Sequence, residues 1–191
     1  MTSSTAQKIL DVAQDLVRNR GYSAFSYADI AAQIGIRKAS IHYHFASKEE
    51  LALALVQRYR TTFLQALQSI EQTIADPQAQ LREFCSLYRG GLIHQQMCLC
   101  GMLSAELFVL PPSVQSEVRD FFGEMTAWLQ ALLERGVASD RFQIRVSAAD
   151  EAALLLATVQ GAQLLARAAA DSEAEFDGLM HRLFSALCPD G

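Results

Sequence analysis

Between Arg37 and Lys48 the chain reads RKASIHYHFASK, a run of cations, hydroxyls and imidazoles. Three chemistries use such residues: metal ligation, acid–base catalysis and contact with a polyanion. His42 and His44 stand two apart, which on a helix turns them about 200° from each other, so they cannot ligate one metal ion together. On a nucleic-acid surface, Arg37 and Lys38 supply charge, Ser40 and Tyr43 offer hydroxyls to phosphate, and His42 and His44 offer ring nitrogens to bases or phosphate. Lys48 adds a cation at the first turn of the next helix, where unbonded backbone amides already favour an anion. Two plainer readings compete: Tyr43 or one histidine packs against a neighbouring helix, or Arg37 and Lys38 are a solvated face.

These side chains need a short helix held at a set angle, and the preceding residues provide for one. Ile9, Leu10, Ala13, Leu16 and Val17 share one face of a predicted helix over about 5–20, which Gly21 ends. SYAD offers a capping box from Ser26 to Asp29 for a second helix, carrying Ile30, Ala31 and Ile34 and stopped by Gly35. A third spans about 38–45. Ala31 is small where two helices must cross, Gly35 four residues later can take the left-handed turn, and Ile41 six further on points inward. That is the arrangement of a helix-turn-helix, with 38–45 as the helix that enters a major groove.

SKEE at Ser47 opens a fourth helix with no Gly or Pro before Asp76-Pro77, roughly 40 Å at 1.5 Å per residue. Such a helix can carry a mechanical signal. Further helices are expected at about 78–96, 101–109, 113–136, 147–170 and 173–187, so the fold class is all-α. The expected division is a DNA-binding domain over 1–56 and a helical body over 57–191, with the boundary inside the long fourth helix.

The net charge of −5 conceals an asymmetry: residues 1–60 carry +3 and the remainder −8, and all three lysines lie within the first 48 residues. A basic head before an acidic body suits a head that meets phosphate. Cys85, Cys98, Cys100 and Cys188 form no spaced framework, and the N-terminus has no apolar signal core, so a reduced, cytoplasmic protein is expected. The longest uncharged apolar run, 152–166, falls short of the ~20 residues of a membrane span. Absence of a nucleophile elbow, phosphate loop, paired carboxylates or metal quartet argues against an enzyme, and neither cofactor nor metal is expected. A helical carrier of an apolar substrate and a helical interaction protein stand as the competing classes, and the basic head argues against both.

The motifs ILDVA, GY, DIAAQIGI, YHF and SKEEL over about 5–56 resemble the N-terminal domain of TetR-family transcriptional repressors. The resemblance implies a homodimer of subunits with about nine helices, a palindromic double-stranded operator, and release by a small-molecule effector. It places DNA contacts on Ser26 and Tyr27 of the second helix, Lys38, Ser40, His42, Tyr43 and His44 of the third, and Lys48 of the fourth. Two departures are present: the box reads His42-Tyr43-His44 where the family has Tyr-His-Tyr, and Arg37 replaces a small capping residue.

In the body, Phe176, Leu179, Met180, Leu183, Phe184 and Leu187 form an apolar stripe on the last helix, and the helix before it, which includes Leu164, is apolar nearly all round. The two predict a four-helix interface between subunits, against the alternative of an intramolecular bundle. Phe84, Tyr88, Met97, Met102, Leu103, Phe108, Phe122, Met125 and Trp128 are the candidate effector-pocket residues, although an apolar stripe is more often core. CLCGMLSAE is similar to the CLxGNLxxE region of a TetR subgroup that responds to electrophiles or acrylate-like compounds; Cys98 falls on its cysteine, and Met102 replaces its asparagine. That resemblance implies Cys98 in effector binding, with Cys98 or Cys100 as a possible redox sensor; a thiol at a helix start can become a reactive thiolate, whereas a buried one is inert. His94 and Cys98, four apart with Cys100 close by, form a weaker metal alternative.

Overall fold

The computed structural model describes residues 4–188. Among these the elements run α1 Thr5–Arg20, α2 Tyr27–Ile34, α3 Lys38–His44, α4 Lys48–Thr73, α5 Pro77–Leu92, α6 Leu99–Ala105, a 3-10 turn Leu107–Val109, α7 Pro112–Ala138, α8 Ala148–Ala168 and α9 Ser172–Leu187. No strand occurs among them.

Caps explain where the helices begin. Ser4 Oγ accepts from the Gln7 amide at 3.3 Å while the Ser4 amide donates to Gln7 Oε1 at 2.9 Å, a reciprocal box that starts α1. Asp76 accepts from the Ala79 amide at 2.9 Å ahead of Pro77 at the first position of α5. Where the spacing predicts a helix to 96, α5 instead ends at Leu92, because the amides of Gln95 and Gln96 turn back to the carbonyls of Leu92 and Gly91 and Gln95 takes a φ of 57°. His94 and Cys98 therefore share no helix, which removes the geometric basis of a metal pair there. The predicted helix over 101–109 begins earlier, with Cys98 as N-cap, and tightens to 3-10 geometry after Ala105.

Two compact units result. The first comprises the described residues to Thr62 together with Cys98–Phe121; the second comprises Phe63–Met97 together with the described residues from Phe122. Beyond the head expected over 1–56, the first unit also takes in α6, which packs on α1. In the first unit Ile9, Ala13, Val17, Ile30, Ile41 and Leu51 are buried, as are Leu99, Cys100 and Leu103 of α6. Each large aliphatic side chain so buried contributes about 1.5–3 kcal/mol of transfer free energy.

In the second unit α5, α8 and α9 pack on one another. Phe84 stacks on Trp128 with ring centroids 5.5 Å apart, and Tyr88 lies 5.3 Å from Phe84 and 5.7 Å from Phe63. Buried Gln163 donates to the Tyr88 carbonyl at 2.7 Å, which satisfies a polar group that would otherwise cost stability. Arg89 of α5 bonds Asp177 of α9 at 2.7 and 2.9 Å.

The α9 stripe corrects an expectation. Phe176, Met180, Phe184 and Leu187 are buried within the chain, while Leu179 and Leu183 are only half-buried. The stripe's centre is therefore an intramolecular face. The apolar surface left open lies on α8, where Leu154, Leu164 and Leu165 are 59%, 61% and 62% exposed.

Candidate nucleic-acid interface

The turn between α2 and α3 is set by Gly35, whose φ of 78° and ψ of 33° are left-handed; its amide and that of Ile36 both donate to the Ala31 carbonyl. Open space surrounds the position a Cβ would take, so conformation rather than crowding calls for glycine. Ile41 of α3 is fully buried and Ala31 of α2 is buried where the helices meet. These contacts fix one face of α3 and turn the other outward.

On that outer face Arg37, Lys38, His42, Tyr43 and His44 are exposed and Ser40 is half-buried. Tyr43 is 85% exposed, and its ring meets His44 edge-on at 5.2 Å. His42 is more constrained: its ring lies 4.7 Å from Tyr27, and Nδ1 is 3.2 Å from the Ala46 carbonyl. Arg37 occupies the N-cap of α3 without a side-chain cap bond, which leaves its guanidinium for a partner outside the helix.

Two residues of the expected contact set also carry bonds within the fold. Tyr27 is buried and its hydroxyl donates to the Phe45 carbonyl at 2.9 Å, so burial, helped by Glu50, pushes its pKa up to about 12. Lys48 Nζ donates to the Phe25 carbonyl at 2.7 Å and sits 4.4 Å from the ring centres of Tyr22 and Phe25, with its pKa lowered by burial. Its ammonium organises the loop before α2. Ser26 is exposed, but its amide and hydroxyl both donate to Asp29 at 2.7 Å, and these bonds hold the Asp29 carboxyl below its ordinary value.

Glu106 was not singled out by spacing, yet it grips the same loop. The amides of Tyr22 and Ser23 donate to its two carboxylate oxygens at 2.6 and 2.9 Å. Burial would raise its pKa, but the bonds from Ser23 and Tyr22 and the charge of Lys48 together lower it. A Cβ at Gly21, where φ is 89°, would collide with that carboxylate. The CLxGNLxxE likeness ends on this glutamate, but nothing in the spacing reveals a partner more than eighty residues away.

Of the candidate effector residues, Phe84, Tyr88, Met97 and Met125 are buried in the second unit, where Phe122 and Trp128 are half-buried; the buried Nε1 of Trp128 has no hydrogen-bond partner. Cys98 and Leu103 are buried in the first unit, with Met102 half-buried. Phe108 is 98% exposed on the 3-10 turn and lines no interior pocket. Tyr59 of α4 lies with its hydroxyl 3.7 Å from Cys98 Sγ, and burial followed by Cys98 raises its pKa well above the ordinary value. Cys100 is fully buried, which raises its thiol pKa too. A groove of about 770 Å³ runs along α8 and α9, lined in part by Leu154, Leu155, Leu183 and Arg145. Among the described residues no three His, Cys, Asp or Glu side chains gather as metal ligands, and no helix is long and apolar enough to cross a membrane.

A family model described as "Bacterial regulatory proteins, tetR family" matches residues 9–55, the segment that holds most of α1, all of α2 and α3 and the start of α4. The solved structure of a TetR-family transcriptional regulator from Agrobacterium tumefaciens is 39% identical, covers 96% of this chain and 97% of its own, and superposes with a TM-score of 0.91. The transcriptional repressor DhaR of Mycobacterium sp. strain GP1 is 26% identical over 96% of this chain and 92% of its own length. The transcriptional repressor NemR of Escherichia coli K12 is 25% identical over 93% of this chain and 91% of its own. With the helix-turn-helix geometry, a relative at 39% identity along nearly the whole chain means that this protein belongs to the TetR family of DNA-binding transcriptional regulators, which are not enzymes.

Proposed function

We propose that the protein is an effector-released repressor that reads a palindromic operator as a homodimer, with α3 in the major groove and the effector held by the second unit. The observation that carries this reading is the exposed face of α3, where Tyr43 stands 85% exposed beside Arg37, Lys38 and His44 on a helix whose other face is locked by Ile41. Half-sites about 34–36 Å apart would meet the two reading helices of a dimer. The open leucines of α8, with half-buried Leu179 and Leu183, supply apolar surface for that pairing, because a soluble monomer rarely leaves such a face uncovered. A reduced, cytoplasmic setting accords with four cysteines outside any disulfide.

The effector reading is a small apolar molecule with a hydrogen-bond acceptor, supported by the aromatic set of Phe84, Tyr88 and Trp128 and by the unpartnered indole N–H. A second reading is electrophile sensing. The thiol it would use is Cys98 at the head of α6, with the Tyr59 hydroxyl beside its sulfur; Cys98 and Cys100 are both buried, which works against reactivity, and burial also raises the Cys100 pKa.

Selection of bound duplexes from a random DNA pool at near-physiological salt tests the central reading. Recovery of a palindrome supports it and provides the operator for release assays with thiol reagents. A pool that shows no enrichment overturns it.

A further inference from the structure

Six residues, 21–26, join α1 to α2 and lead directly into the helix-turn-helix, and they are held from two directions. Lys48, the first residue of α4, bonds the Phe25 carbonyl from one side. Glu106, the C-cap residue of α6, takes the amides of Tyr22 and Ser23 from the other. The two amides follow the end of α1 and would otherwise turn to water. Both bonds are charge-assisted, and the absent side chain of Gly21 is what lets the carboxylate approach.

Glu106 is fixed to the body of α6, whose Leu99, Cys100 and Leu103 are buried in the same unit and whose N-cap is Cys98. A displacement at the Cys98 end of this seven-residue helix must carry the Glu106 end with it, because a helix of two turns moves as a rigid piece. We infer that Glu106 is the positioning residue through which α6 sets the placement of the α1–α2 loop, and hence of the reading helix α3. The inference rests on α3 being the reading helix. It assigns the coupling to one carboxylate rather than to the general packing of α6 on α1.

A thermodynamic cycle in the full-length protein tests this without any known effector. The first arm is a bulky change at the far end of α6, Cys98→Phe, with Cys98→Met as the milder variant should the first fail to fold. The second arm is Glu106→Ala, with Glu106→Gln as the intermediate, since its amide oxygen can still accept one bond. Two readouts are taken on each protein: exchange of the Tyr22 and Ser23 amides in the free state, and affinity for the duplex recovered by selection.

Glu106→Ala should speed exchange of those two amides by about tenfold. The Cys98 change should speed exchange and weaken DNA binding when Glu106 is present, and should add less than about twofold to either in the Glu106→Ala background. Equal factors in both backgrounds would overturn the inference and assign the coupling to α1–α6 packing. Undisturbed amide protection in Glu106→Ala would overturn it as well. The exchange readout needs no DNA, so failure to bind any duplex strikes the role of α3 and leaves the coupling itself open to decision.

Discussion

The Tyr27 hydroxyl donates to the Phe45 carbonyl at 2.9 Å, joining the first residue of α2 to the residue that caps α3. The bond closes the helix-turn-helix at the side opposite its Gly35 turn. Tyr27→Phe retains the ring and deletes this bond, leaving a buried carbonyl short of a donor. A loss of about 1 kcal/mol is expected, seen as a fall of a few degrees in melting temperature. An unchanged melting curve would show that the bond does not hold α2 to α3.

Tyr43 and His42 should behave differently although they are adjacent. Tyr43 is 85% exposed, so Tyr43→Ala should leave stability within about 0.5 kcal/mol while weakening the selected duplex more than random DNA. His42 packs on Tyr27 and approaches the Ala46 carbonyl, so His42→Ala should lower both stability and affinity. Melting curves beside binding isotherms on both duplexes separate the two. Equal loss on every sequence would remove Tyr43 from base reading.

The helix-turn-helix was legible because its signals are local: a capping box at Ser26, a small residue at Ala31, a turn glycine at Gly35 and an inward Ile41 all fall within sixteen residues. Helix type was legible throughout for the same reason. The end of α5 was not, since Gly90 and Gly91 lie within that helix and the actual stop is a turn at Gln95, a residue without breaker character. The resemblance gave Tyr27 to DNA, and the resemblance together with residue type gave Lys48; the bonds both make within the fold were not legible, because those partners lie 18 and 23 residues away in sequence. The α9 stripe shows the same ambiguity, because periodicity reveals an apolar face without saying what covers it.

Lys48 and Lys38 offer a contrast in salt dependence. Lys38 is exposed, so Lys38→Ala should reduce the slope of log affinity against log salt by about 0.9, with no change in melting. Lys48 is engaged with the Phe25 carbonyl and two rings, so Lys48→Ala should lower stability by about 1–2 kcal/mol and leave the slope nearly unchanged. A slope that falls by a full unit for Lys48→Ala would return it to the phosphate contacts.

Glu106 gives the fold an acid-sensitive element. Its carboxyl lies below the ordinary value of 4.5 in the folded chain, so its contribution is present in full above that pH and is lost as pH falls through the lowered value. The stability gap between the wild type and Glu106→Gln should therefore be constant near neutrality and should narrow below about pH 4.5. Melting temperatures recorded across that range provide the check, and a gap that widens on acidification would contradict it.

Leu164 is 61% exposed, so a charge there should not disturb the interior. If the subunits pair through α8 as proposed, Leu164→Glu should sediment as a folded monomer, with a melting temperature that no longer depends on protein concentration and an affinity for the selected duplex lower by at least about tenfold. A variant that still sediments as a dimer would exclude α8 as the pairing face.

The reading unit is discontinuous: Phe63–Met97 interrupt it, and it resumes only with Cys98–Phe121. During synthesis, therefore, α1 to α3 leave the ribosome well before the helix that anchors the loop between the first two. At about 5–20 residues per second the nascent head waits several seconds with the Tyr22 and Ser23 amides facing water and its α6-facing surface uncovered. A fragment cut after residue 56 would be held in that unfinished state permanently. For this chain, a fragment meant to present that loop as the whole protein holds it must therefore include α6 through Glu106.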